Sequence, residues 1–191
     1  MYRIFLSSTL LLPLPVLAHG MTAEAAAGLF GAFMHPLSGF DHLAVMLGVG
    51  ICAAWQGGTW RWRLPVIFLA AMSVGALAAM GGIAAPAVEL GIAASLMLAG
   101  LAVALHWRPW PAALVAAIIG GALCHGHAHG SELLLGAATQ PRFAAFLAAT
   151  ALLHGAGLIL GVNARRPVVG KAVHGAGAAA AAAGAWLLVV A

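Results

Sequence analysis

The sequence predicts an all-α membrane protein, a bundle of helices that crosses a lipid bilayer several times. Of the 191 residues, 64% are hydrophobic and only 6% are charged. Mean hydropathy is +1.06, whereas soluble domains carry about 25% charged residues. In addition, six apolar stretches are long enough to cross roughly 30 Å of hydrocarbon as helices. A chain with so little charge needs lipid around its outer surface.

The first 18 residues predict a secretory signal peptide. Arg3 precedes an apolar stretch, and small residues up to Ala18 form a cleavage pattern. Cleavage after Ala18 would leave His19 as the amino terminus on the periplasmic side, where its amine and imidazole are a further candidate for metal binding. An uncleaved first helix is the alternative. Residues 19–191 are expected to form a single transmembrane domain.

Six spans follow, preceded by a short half-helix. The half-helix, or alternatively a re-entrant piece, is predicted in the apolar segment 22–34, which is too short to cross the membrane and leads into a proline. The predicted spans are residues 37–56, 64–81, 86–105, 111–129, 143–162 and 172–190. No soluble domain is left over.

The positions of the basic residues predict the orientation in the bacterial inner membrane. Cytoplasmic loops accumulate Lys and Arg, and a periplasmic amino terminus leaves Arg142 alone outside in the mature chain. The residues then placed in the cytoplasm are Arg61, Arg63, Arg108, Arg165, Arg166 and Lys171. These scattered charges are topology signals, so the net charge of +4 does not indicate a nucleic-acid partner.

The first polar motif is HPLSGFDH, residues 35–42, at the outer end of the first span. Its proline and glycine favour a break in the helix, which would let His35 fold back towards Asp41 and His42. Imidazole and carboxylate together suit Ni²⁺, Zn²⁺ or Co²⁺. The alternative is helix capping, in which Ser38 or Asp41 accepts hydrogen bonds from free amides. Capping explains Asp41 but neither histidine.

The second polar motif is HGHAHGSE, residues 125–132, at the end of the fourth span. In a continuous helix His125, His129 and Glu132 share one face, while His127 points elsewhere and is a weaker candidate ligand. If the glycines end the helix early, the segment is instead a His-rich outer loop that collects cations. Alternating spans place both motifs in the outer half of the membrane.

Three further histidines lie elsewhere in the spans. His154 is near the middle of the fifth span, where it is either a hydrogen-bonded core residue or a relay below the outer site. His106 and His174 lie at the cytoplasmic ends of the third and sixth spans. Histidines are common at such interfaces, and contact with a departing ion is the functional alternative.

With these two motifs the chain resembles the HupE/UreJ family of hydrogenase and urease accessory proteins, which are regarded as nickel or cobalt permeases. The resemblance extends over the whole chain, from the signal peptide through six spans. It implies metal-handling roles for His35, Asp41, His42, His125, His129 and Glu132. It also implies that the chain supplies metal for the maturation of hydrogenase or urease, with nickel metallochaperones as partners.

The expected function is therefore secondary transport of Ni²⁺ from periplasm to cytoplasm, with Co²⁺ and Zn²⁺ accepted by overlapping ligand preferences. No ATP-binding motif is present, so transport is expected to be facilitated or coupled to an ion gradient. The ion is substrate, and no permanently bound cofactor is expected. No HExxH or GxSxG motif indicates an enzyme. The alternatives are a haem protein ligated by His42 and His154 and a metal-binding scaffold without transport.

Overall fold

The computed structural model describes residues 28–108, 110–133 and 139–190, without the side chains of residues 131–133 and 139–140. The described residues form seven α-helices and no strand. The helices are α1 (Leu29–Ser38), α2 (Phe40–Gln56), α3 (Trp60–Met80), α4 (Val88–Ala104), α5 (Pro111–Leu133), α6 (Thr139–Asn163) and α7 (Pro167–Val190). The signal peptide and His19 lie outside the described residues.

Each of the six predicted spans coincides with one of the helices α2 to α7. Four of these, α3, α5, α6 and α7, are long and apolar enough to cross a membrane alone, and α1 with α2 makes a fifth candidate as one bent pair. Helix α4 has 17 residues, which corresponds to about 25 Å at 1.5 Å per residue. The described helices therefore fit a multi-pass membrane protein with four or five candidate spans, whereas the count of six spans stays a prediction.

Residues 22–27 of the predicted half-helix lie outside the described residues; the rest is present as α1, which extends further along the chain than expected. It continues through Pro36 and ends at Ser38, because a proline removes only one backbone hydrogen bond from so short a helix. The break falls instead at Gly39, whose backbone is extended with φ −87° and ψ 120°. Helices α1 and α2 meet there at an angle of 78°.

Glycines let neighbouring helix backbones touch, as small residues do in membrane bundles. A Cβ added to Gly126 of α5 would collide with the carbonyl of Met72 in α3, and one added to Gly50 of α2 would collide with that of His154 in α6. These contacts hold the two motif-bearing helices, α2 and α5, at short fixed distances from their neighbours.

The chain directions bring both motifs to the same end of the bundle. Helices α2 and α6 run parallel, since His42 contacts Thr150 and Trp55 contacts Gly161. The last turns of α5 reach the beginning of α2, where the rings of His129 and His42 lie 5.0 Å apart. We call this the motif end, and the end at Trp55 the opposite end.

The outer surface of the bundle is apolar, and its interior contains the histidines. Large hydrophobic side chains such as Leu152, Ile159 and Val189 are 61–80% exposed. In contrast, His42, His125 and His154 are at most 1% exposed. An apolar exterior over so wide an area fits contact with lipid.

Candidate metal site

Three histidines of the two motifs converge at the motif end. His42 of α2 meets His125 and His129 of α5, and one ligand nitrogen from each ring lies within 4.8 Å of the others. The ring centroid of His42 is 5.2 Å from that of His125 and 5.0 Å from that of His129. We call these residues the three-histidine cluster.

The spacing of the cluster is close to what one ion requires. Two nitrogens bound to one metal at about 2.1 Å are at most about 4.2 Å apart. A pair at the 4.8 Å limit would therefore close by at least about 0.6 Å, and by about 1.4 Å where the ligands are tetrahedral.

His35 of α1 joins the cluster because of the bend at Gly39. Its Nε2 lies 3.0 Å from Nδ1 of His129, and the two rings meet edge to face with centroids 4.7 Å apart. One nitrogen donates and the other accepts a hydrogen bond when no ion is bound. Two nitrogens that bind one ion at about 2.1 Å and at right angles to each other are also about 3.0 Å apart.

Two hydroxyl groups orient the buried rings. Ser95 Oγ donates to the carbonyl of Ile92 at 2.7 Å, so it has lone pairs left to accept from His125 Nε2 at 3.0 Å. In the same way Thr150 Oγ1 donates to the carbonyl of Phe146 at 3.0 Å and lies 3.4 Å from His42 Nε2. Both Nε2 atoms are thereby assigned as the protonated nitrogens.

The other nitrogen of each ring, Nδ1, has a lone pair that no protein group in the described residues contacts. A neutral imidazole protonated at Nε2 carries its lone pair on Nδ1, and Nδ1 of His42 and of His125 are both buried with no hydrogen-bond partner among the described residues. An unpaired buried polar atom costs about 1–3 kcal/mol. Ligating histidines characteristically donate the other ring N–H to a protein group, as these two do.

Aromatic side chains shield the cluster. The ring of Phe146 lies 4.9 Å from that of His129 and 5.3 Å from that of His42. Phe68 lies 6.3 Å from the ring of His125 and 5.1 Å from that of His154. Both phenylalanines are at most 2% exposed, so they limit access of water to the ligands.

The carboxylate of Asp41 contacts a backbone amide at the start of α2. Asp41 Oδ1 accepts a hydrogen bond from the backbone N–H of His42 at 2.8 Å, which is the capping role considered as the alternative. The α5 backbone continues to Leu133, so Glu132 follows the two ligands on the same helix. The side chain of Glu132 is outside the described part of the structure.

Two other predicted residues lie apart from the cluster. His127 points away from it, and its Nε2 lies 2.8 Å from the carbonyl oxygen of Ile83, to which it donates. His154 is 1% exposed, and neither of its ring nitrogens has a partner among the described residues. It follows Thr150, which contacts His42, by four residues and therefore by about 6 Å along α6.

Sequence reasoning missed Ser95, Thr150, Phe146 and Phe68. The two hydroxyl residues carry a usable signal, because each is an isolated polar side chain inside a predicted span and requires a partner there. The phenylalanines carry none, since an aromatic residue in an apolar span is ordinary.

Comparison with known proteins gives one consistent result. A family model described as HupE / UreJ protein matches residues 7–187 of this chain. Protein HupE of Rhizobium leguminosarum bv. viciae is 40% identical over 185 residues, which cover 93% of this chain and 93% of the relative. No solved structure matches.

Proposed function

Because the chain belongs to the HupE/UreJ family, we propose that it is a secondary permease that carries Ni²⁺ or Co²⁺ across the bacterial inner membrane. The ion would enter from the periplasm at the motif end and leave in the cytoplasm, where nickel metallochaperones for hydrogenase or urease maturation would receive it. The proposal assigns metal handling to His35, Asp41, His42, His125, His129, Glu132 and His154.

The observation that carries the proposal is the pair of unpartnered Nδ1 atoms on His42 and His125. Burial without a partner is unfavourable, and it is offset when a cation accepts both lone pairs. Imidazole nitrogen is a suitable ligand for Ni²⁺, Co²⁺ and Zn²⁺.

Successive groups along the proposed path stabilise the charged ion. Asp41 lies next to His42 at the mouth of the site, where a negative charge attracts cations and reduces the cost of removing water. The ion then exchanges water for imidazole in the cluster. His154, about 6 Å beyond Thr150 along α6, supplies two more unpartnered nitrogens as the next ligand.

The packing disfavours the haem alternative. Haem would need His42 to face a flat slot wide enough for the macrocycle. The His42 ring is instead enclosed by His125, His129 and Phe146, with centroids 5.0–5.3 Å away. These contacts leave no such slot beside the ring.

Uptake of ⁶³Ni²⁺ into proteoliposomes that contain the purified chain tests the proposal. The chain should fill vesicles above the level of empty liposomes, and His125→Ala should abolish that uptake. His127→Ala is the matched control, because it removes an imidazole from the same helix that bonds to Ile83 instead of the cluster. Nickel binding without any uptake would show a scaffold and refute the permease.

A further inference from the structure

A second group of histidines lies at the opposite end of the bundle. The ring of His106, just after α4, stacks on the indole of Trp55 with centroids 4.0 Å apart and planes at 26°. His174 of α7 lies 5.9 Å from His106 and 6.0 Å from Trp55. Trp55 follows His42 by 13 residues, so this group is about 20 Å from the three-histidine cluster along α2.

The structure holds both rings in place. Trp55 is 9% exposed, and its indole N–H donates to the carbonyl of Gly161 at 3.0 Å, which fixes the surface on which His106 stacks. His106 has φ +49°, a left-handed conformation that is uncommon for residues other than glycine and is often found at functional sites. The Nε2 atom of His174 is buried and has no partner among the described residues.

The distance between the rings fits one shared ion. A bond of about 2.1 Å from nitrogen to metal places a ring centre roughly 3.2 Å from the ion, so two ligating rings are about 4.5 Å apart at right angles and about 6.4 Å apart in line. The 5.9 Å between His106 and His174 lies within this range.

The charges around the pair make any ion bound there easy to release. The Arg108 guanidinium donates to the carbonyl of Gln56 at 3.5 Å and repels a cation. No Asp or Glu side chain offsets that repulsion from within residues 43–88, 90–131 or 133–191, because these segments contain neither residue.

We propose that His106 and His174 form a second divalent-cation site, weaker than the three-histidine cluster, that binds Ni²⁺, Co²⁺ or Zn²⁺ through two imidazoles and water. Its role as the release site of the transport path rests on the proposed function. Its ability to bind an ion does not depend on transport. A path that conducts needs sites weak enough for the ion to leave.

Histidine modification by diethyl pyrocarbonate, read by mass spectrometry on the full chain in detergent, tests the site. The background is the double variant His42→Ala with His125→Ala, which removes two of the three residues of the three-histidine cluster, and the readout is resolved to the single residue His106. Nickel should protect His106 from modification, and His174→Gln should raise the nickel concentration required at least tenfold. His127 serves as the internal reference and should remain unprotected.

Absence of protection at His106 up to millimolar nickel, or protection that His174→Gln leaves unchanged, would overturn the proposal. A second measurement uses the indole, because bound Ni²⁺ next to Trp55 quenches its fluorescence, and Trp55→Phe should remove that quenching while His106 stays protected. Failure of the permease is separate: wild-type vesicles would then take up no nickel while His106 was still protected.

Discussion

Removing the Ser95 hydroxyl should weaken nickel binding although Ser95 is not a ligand. Its Oγ accepts from His125 Nε2 at 3.0 Å, a normal hydrogen-bond length, and so keeps the lone pair on Nδ1. In Ser95→Ala that N–H loses its partner and the ring loses its fixed orientation. Loss of such outer partners typically reduces metal affinity 10–100-fold, equivalent to about 1.4–2.8 kcal/mol.

Calorimetric titration of the purified protein with Ni²⁺ measures the effect. The dissociation constant of Ser95→Ala should rise 10–100-fold, whereas Ser73→Ala should be unchanged. Ser73 is the matched control because its hydroxyl donates to the carbonyl of Leu69 at 2.8 Å, within its own helix and away from any ring. A dissociation constant for Ser95→Ala within twofold of the control, in a variant with unchanged helix content, would refute the assignment of the tautomer.

Four further outcomes are expected. Thr150→Val should weaken nickel binding by about tenfold or less, because its contact to His42 is longer, at 3.4 Å; an effect larger than that of Ser95→Ala would contradict this order. Nickel at 100 times its dissociation constant should stabilise the fold by about 2.7 kcal/mol in a denaturation assay, and His125→Ala should remove that gain. Gly126→Ala should destabilise the bundle by about 1–3 kcal/mol through its collision with the α3 backbone, whereas Gly155→Ala, with open space, should not. The purified protein should show no Soret band, and its presence would restore the haem hypothesis.

The helices and the meeting of the motifs could be predicted from the sequence. Hydropathy located all six helices from α2 to α7 within a few residues, since lipid requires long apolar segments. Alternating directions then placed His42 and His125 at the same end, and the structure brings them within ligand distance. The glycine in the first motif indicated the break that carries His35 to His129.

The hydroxyl partners and the role of Asp41 could not be predicted. The contacts of Ser95 with His125 and of Thr150 with His42 join residues 30 and 108 positions apart, and which faces meet depends on helix packing. For Asp41 the sequence allowed both helix capping and metal ligation, because a carboxylate at the start of a helix can accept from a backbone amide or bind an ion. In the structure Oδ1 of Asp41 accepts from the His42 amide, and its role towards an ion stays a prediction.

The direct backbone contacts at Gly50 and Gly126 have a bearing on ion selectivity. Where main chains touch, no side chain between them can be compressed or swapped to change the helix spacing. Each helix that carries the cluster is thus locked to a neighbour, α2 to α6 and α5 to α3, so the histidine rings adjust to an ion by side-chain rotation. Altering the preferred metal should therefore require new donor atoms in place of His35 or His129 rather than enlargement of the surrounding core.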